Sequence, residues 1–220
     1  MPLDARSLEA REARPGRPHR NGSVRGDLRI VSDLVAPGSR VLDIGCGDGE
    51  LLDLLARERG VDGRGIEISP ARVSACVRNG LSVVQGDAER DLGFYPDGSF
   101  DYVVLSRTLQ AVRDPRGLLL DLVRIGRRAI VSFPNFGYWR IRLRLLLQGR
   151  MPRTELLDDP WYATDNIHLC TIADFVALCE ELGIAIERAI VLTRGGRHLG
   201  FRGSLANLFG EQAIFLLRRA

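Results

Sequence analysis

The sequence predicts an α/β architecture: a doubly wound, mostly parallel sheet of seven strands with an antiparallel C-terminal edge. Three observations lead there. The run Val41-Leu-Asp-Ile44 empties into a glycine-rich turn, Gly45-Cys-Gly-Asp-Gly49, and the amphipathic stretch Glu50 to Arg57 follows; strand, turn and helix form the first half of a βαβ unit. Strand-like runs at 63–67, 81–84, 100–105 and 129–133 then alternate with helical patterns, which demands parallel strands and right-handed crossovers. The last two runs, 184–192 and 212–217, have no convincing helix between them and should pair as an antiparallel edge.

Each element has its own signal. Residues 1–24, rich in Arg, Pro and Gly, read as a disordered basic arm, and 25–220 as a single domain. Leu28, Val31 and Val35 share a face, giving a helix from Asp27 to Ala36 that Pro37-Gly38 stops. Ser69-Pro70 supplies a cap and a first-turn proline for the helix after the second strand. The helix after the third strand is nearly missing; the chain there turns through Pro96-Asp97-Gly98. Asp114-Pro115 opens a helix carrying Leu118, Leu119, Leu122 and Val123. An insert at 134–170 interrupts the alternation and holds Phe136, Tyr138, Trp139, Trp161 and Tyr162. Within it, 139–148 fits both a strand and a helical period; its Leu/Arg content and Gly149 favour helix. Thr171-x-x-Asp174 opens the last helix and Gly183 closes it.

Composition narrows the function. The 220 residues are 45% hydrophobic, enough for a full core, and the net charge of +3 is carried by arginine without any lysine. Six arginines against Asp4, Glu9 and Glu12 in residues 1–25 account for that whole excess, so the rest is neutral and a nucleic-acid face is not expected. No apolar signal-peptide core and no run near ~18 apolar residues occurs, so a soluble, cytoplasmic protein without membrane contact is expected. The four cysteines form no C-x-x-C, so neither zinc nor a redox pair is expected; Cys76, Cys170 and Cys179 fall at packing positions.

The glycine turn carries the chemistry. A dinucleotide G-x-G-x-x-G would need a glycine at 50, which is Glu50, and this excludes a nicotinamide oxidoreductase. The pattern from Asp43 is D-x-G-x-G-x-G, which resembles motif I of the class I S-adenosylmethionine (SAM) methyltransferases. SAM carries an ammonium and a sulfonium and no phosphate, so a carboxylate at the strand end suits it better than a basic group. Glu67 lies 22 residues past Gly45, where an acid accepts both ribose hydroxyls. Gln85-Gly86-Asp87-Ala88 resembles the methyltransferase segment that meets adenine, with Asp87 taking the exocyclic amine. The resemblance implies a Rossmann-like class I methyltransferase fold binding SAM or S-adenosylhomocysteine at Asp43, Gly45, Cys46, Gly47, Glu67, Ile68, Gly86, Asp87, Ala88 and Ser106. Methyl transfer is an in-line displacement that alignment alone can accelerate, so no catalytic residue is assigned. An acceptor is expected to enter above the strand ends, near 106–109, Pro134-Asn135-Phe136 and the insert; His168 is the histidine nearest that mouth, and a backbone contact at the helix start is favoured for it over a base.

Further runs narrow the resemblance. Leu42-Asp-Ile-Gly-Cys-Gly-Asp-Gly-Glu-Leu-Leu52, Leu105-Ser-Arg-Thr-Leu-Gln-Ala-Val112, Val131-Ser-Phe-Pro-Asn-Phe-Gly-Tyr-Trp139, Gly149-Arg-Met-Pro152 and Asn166-Ile-His-Leu-Cys-Thr171 resemble the MetW family of methionine-biosynthesis proteins across about 25–195. The usual basic P-G-G turn before the fifth strand is replaced here by Arg124-Ile-Gly-Arg-Arg128. The resemblance implies an accessory partner of homoserine O-acyltransferase; it implies no methylation substrate. The alternative is a SAM-dependent methyltransferase with a small-molecule acceptor. Aromatics beside arginines in the insert are expected to dock the acyltransferase, with Trp139 or Trp161 as an anchor.

Overall fold

Helix α1 (Gly26–Leu34) buries Leu28 and Val31 and leads into β1 (Arg40–Ile44). The computed structural model describes residues 26–154, 156–157, 159–194, 196–200 and 203–220, so the arm expected at 1–24 lies outside the described residues. The parallel half continues through α2 (Glu50–Arg59), β2 (Asp62–Glu67), α3 (Pro70–Arg78), β3 (Ser82–Gln85), α4 (Ala88–Asp91), β4 (Phe100–Ser106), α5 (Pro115–Ile125) and β5 (Gly126–Pro134). The C-terminal half adds α6 (Trp139–Gln148), α7 (Ile172–Glu181), β6 (Ile184–Leu192), β7 (His198–Leu199), α8 (Gly203–Phe209) and β8 (Gln212–Arg219).

The sheet order is β3-β2-β1-β4-β5-β8-β6-β7. Strands β1 to β5 pair in parallel, while β8 runs antiparallel to both β5 and β6. The expected architecture stands, with two corrections. Among the described residues there are eight strands, because two-residue β7 pairs with the end of β6. A helix does separate β6 from β8: α8 is only seven residues long and holds Gly, Ser and Asn, which hides its period. It is too short to act as a parallel crossover, so the antiparallel pairing survives.

Local chemistry explains the helix boundaries. Asp114 caps α5 by accepting from Gly117 N at 3.0 Å, with Pro115 in the first turn. Thr171 caps α7 through Asp174 N at 3.1 Å, and the Asp174 carboxylate accepts from the threonine hydroxyl at 2.6 Å. Gly149, at φ 58°, stops α6 as expected. Ser69 precedes α3 but makes no side-chain cap; its backbone serves the site instead.

Strand β4 is buried on both faces, as a central parallel strand must be. Val103 and Leu105 pack on the side of α5, α7 and α8, where Phe133, Phe175 and Phe215 cluster with centroids 4.7 to 5.9 Å apart. Tyr102 and Val104 pack on the other side with Leu28 of α1 and Leu51 and Leu55 of α2. This sandwich fixes the carboxyl ends of β1, β2, β3 and β4 side by side.

Candidate functional site

The site stands at those four strand ends. The chain leaves β1 in one direction toward β2 and reaches β4 on the other side, so β1 and β4 flank a topological switch point. Asp43 lies opposite Gly65 of β2 and Val104 of β4, and Glu67 lies opposite Gln85 of β3.

Three left-handed glycines form the turn: Gly45, Gly47 and Gly49, at φ 68°, 57° and 80°. They differ in what surrounds them. A Cβ on Gly45 would lie 2.8 Å from the Thr108 hydroxyl, and one on Gly49 would overlap Leu81. A Cβ on Gly47 would meet nothing within 4 Å. Gly45 and Gly49 are therefore glycine for the fold, whereas Gly47 borders open space.

The turn is held from β2. Gly45 N and Cys46 N donate to Ile66 O at 2.8 and 3.2 Å. Gly47 N donates to Glu67 Oε2 at 2.9 Å, and Ser69 N donates to Glu67 Oε1 at 2.9 Å. Cys76 of α3 reaches back, its Sγ donating to Gly47 O at 3.3 Å. Each Glu67 oxygen keeps a lone pair beyond these bonds. Asp43 and Glu67 are 2% and 4% exposed. Burial first, then the charge of Asp43, then Cys76 and Glu67, push the Cys46 thiol up, so it stays neutral and is no nucleophile. No lysine or arginine lies between Val41 and Gly49.

The other expected residues fall around this core. Ile68 presents an exposed aliphatic face, 66% accessible, directly after Glu67. Gly86 N donates to Glu67 O at 3.1 Å, and a Cβ there would meet Asp91 Oδ2 at 2.7 Å. Asp87 caps α4: its Oδ1 accepts from Glu89 N at 3.0 Å. The cap uses one oxygen; Oδ2 stands 3.9 Å from Arg90 Nε. Ala88 is half-buried, and the Ser106 hydroxyl lies 3.3 Å from that of Ser132.

Several residues around the expected acceptor mouth have partners that the sequence did not disclose. Arg107, directly after β4, holds φ 56°, the one non-glycine with positive φ among the described residues. Its guanidinium meets buried Asp27 of α1 at 3.0 Å, and Gln212 Nε2 donates to the same carboxylate at 3.0 Å. This cluster pins α1 and β8 to the end of β4. Asn135, expected near the acceptor mouth, is instead a saturated knot. Its Oδ1 accepts from Gly137 N and Ile172 N, and its Nδ2 donates to Asn207 O and Gly210 O, at 2.8 to 3.1 Å. His168 Nε2 lies 3.4 Å from Arg113 O, and its backbone N donates to Gln110 O, so the backbone contact is what forms. Arg107 stood in the stretch 106–109 expected at the acceptor mouth, whereas the signal for Gln110 was its place in the Leu105–Val112 run.

The insert differs from a lid packed under its own sheet. Trp161 and Tyr162 are strongly exposed, and Trp139 is partly so. A groove of about 780 Å³ runs along α6, away from the glycine turn, and a cavity of about 150 Å³ lies beside Trp161. Among the described residues, no helix is long and apolar enough to cross a membrane, and no cluster of metal-ligating side chains occurs.

Comparison with known proteins agrees with this geometry. The bifunctional methionine biosynthesis protein MetXA/MetW of Rhodopirellula baltica is 33% identical over 198 residues, covering 86% of this chain and 32% of that protein. The ubiquinone biosynthesis O-methyltransferase of Xanthomonas campestris is 35% identical over 95 residues, 41% of this chain and 39% of that one. The chain thus spans little more than a third, at most, of these relatives. Among solved structures, a SAM-dependent methyltransferase from Mesorhizobium loti superposes with a TM-score of 0.64 at 18% identity, over 89% of this chain and 98% of that one. It shows the class I methyltransferase fold. The family model "Methionine biosynthesis protein MetW" matches residues 25–217, and the chain belongs to the MetW family.

Proposed function

We propose that the chain binds SAM at the glycine turn and serves methionine biosynthesis as an accessory partner of homoserine O-acyltransferase. The observation that carries the ligand reading is the Gly47–Glu67 unit. A buried carboxylate holds the turn through Gly47 N, keeps lone pairs to spare, and faces a glycine with open space above it. That cradle fits a cationic, phosphate-free nucleoside. Asp43 would take the ammonium, Glu67 the ribose hydroxyls, and Ile68 would lie against the adenine face. Asp87 has Oδ2 for the exocyclic amine while Oδ1 caps α4. Ser106 and Thr108 would close the site from the β4 side. When bound, SAM supplies a methyl group on a sulfonium.

The partner reading rests on the family and on the relative that joins MetXA to MetW in one polypeptide, two-thirds of which lies beyond the match. A second reading, methyl transfer to a small molecule, is favoured by the O-methyltransferase relative. It is disfavoured by the mouth itself. Asn135 has all its bonds made, His168 faces a backbone carbonyl, and burial pushes the Cys170 thiol up to about 12.

The test is acyltransferase activity on homoserine, measured with and without this chain and with SAM varied. Activity that depends on the chain and responds to SAM is expected. An acyltransferase indifferent to both, together with methylation of a defined metabolite, would establish the second reading.

A further inference from the structure

Helix α6 is thinly covered for a helix of ten residues. Ile141 is its one buried residue, while Leu146 and Leu147 are 80% and 72% exposed. Trp139, Leu143 and Leu147, spaced i, i+4, i+8, line one wall of the 780 Å³ groove. Pro152, Arg153 and Thr154 form the other wall as the chain returns. Arg144 ties the two walls, its guanidinium donating to Arg153 O at 3.0 Å and to Gln148 Oε1 at 3.4 Å. The groove is therefore built before anything enters it. Its lined stretch, residues 139 to 148, is ~13 Å long at 1.5 Å per residue, enough for two to three turns of a docked helix. Pro152 and Arg153 also line the 150 Å³ cavity beside Trp161, so the two hollows form one surface.

Charge selects the occupant. Arg140, Arg144, Arg153 and Arg194 line the groove against Glu211. The chain's own N-terminal segment carries six arginines in residues 1–25 and has the wrong sign. A second copy placed face to face would set these arginines against each other. What remains is a segment with large apolar side chains flanked by carboxylates. We propose that this groove docks such an acidic, apolar segment of the homoserine acyltransferase, with Trp139, Leu143 and Leu147 as anchors and Arg140 and Arg153 on the rim. This rests on the partner reading above.

The test is co-purification of the co-expressed acyltransferase with the tagged full-length chain, followed by an affinity measurement. Leu147→Asp and the double variant Arg140→Glu, Arg153→Glu change the groove; Leu120→Asp, at an exposed position of α5, is the control. These side chains are exposed or on the rim, so SAM binding and thermal stability should match wild type and report that the fold is intact. The expected result is at least a tenfold loss of acyltransferase affinity in both groove variants and none in the control. Groove variants that bind like wild type would overturn the docking site while leaving the partnership standing. A wild-type chain that fails to bind the acyltransferase would overturn the partnership and the docking proposal with it. A self-dimer in light scattering that the groove variants dissolve would overturn the proposal in favour of a second copy.

Discussion

Replacing Gly47 by valine separates binding from folding at one position. The backbone there holds φ 57°, a conformation that costs an L-residue about 1–2 kcal/mol. Beyond its chain neighbours no atom lies within 4 Å of the added Cβ, so backbone strain is the main structural cost, and the Gly47 N bond to Glu67 can stay in place. For a chain of this length that is a fall in Tm of roughly 2–8 °C. The ligand meets the opposite situation. The isopropyl group would occupy the open space beside the Glu67 carboxylate, and a loss of ~3 kcal/mol is more than a hundredfold in Kd. Gly49→Ala is the contrasting variant, because its methyl would overlap Leu81 and approach Cys76 Sγ to 3.1 Å. It should lower stability first. Urea unfolding and calorimetric titration with SAM read the two quantities apart. If Gly47→Val keeps SAM affinity within a factor of three, the cradle is misplaced.

The remaining predictions concern the elements around the turn. Asn135→Leu strands the buried N–H groups of Gly137 and Ile172, and should destabilise by about 3 kcal/mol or more in urea unfolding; a loss below 1 kcal/mol would show that Asn135 is no knot. Arg107→Ala removes the Arg107 guanidinium from the buried Asp27 carboxylate, and should cost about 2 kcal/mol or more, which Asp27→Asn in the same background partly restores. Burial raises the thiols of Cys170 and Cys179 from 9.0 to about 12, so they stay protonated in the fold while the unfolded chain ionises. Their contribution to stability is thus full below pH 9 and lost between pH 9 and about 12. Iodoacetamide labelling of both at pH 8.5 should be far slower in the native protein than in urea, and equal rates would contradict it.

What the sequence made legible follows from the range over which its signals act. Strand, glycine turn and helix are local, and so is the helix of 139–148, whose strand-like alternation lost to Gly149 in its left-handed stop. Glu67 was legible because the span from the first strand to the end of the second is nearly constant in βαβ units. Asp87 was placed at the right strand end, yet the four-residue helix α4 claimed one of its oxygens, which a motif cannot register. The Asp27–Arg107 pair joins positions 80 residues apart, and neither has a local pattern that names the other. Asn135 stood in a run that resembled the family; only the arrival of α7 and α8 beside β5 reveals its four bonds. Two-residue β7 and seven-residue α8 are shorter than any period that could disclose them.

The most direct test of the central claim is calorimetric titration of the purified chain with SAM, with NAD as the competitor nucleotide. The open space at Gly47, the buried pair Asp43 and Glu67, and Glu50 in place of a third fingerprint glycine predict stoichiometric SAM binding and no heat with NAD. Binding of NAD in preference to SAM, or SAM binding that survives Gly47→Val unchanged, would contradict the account.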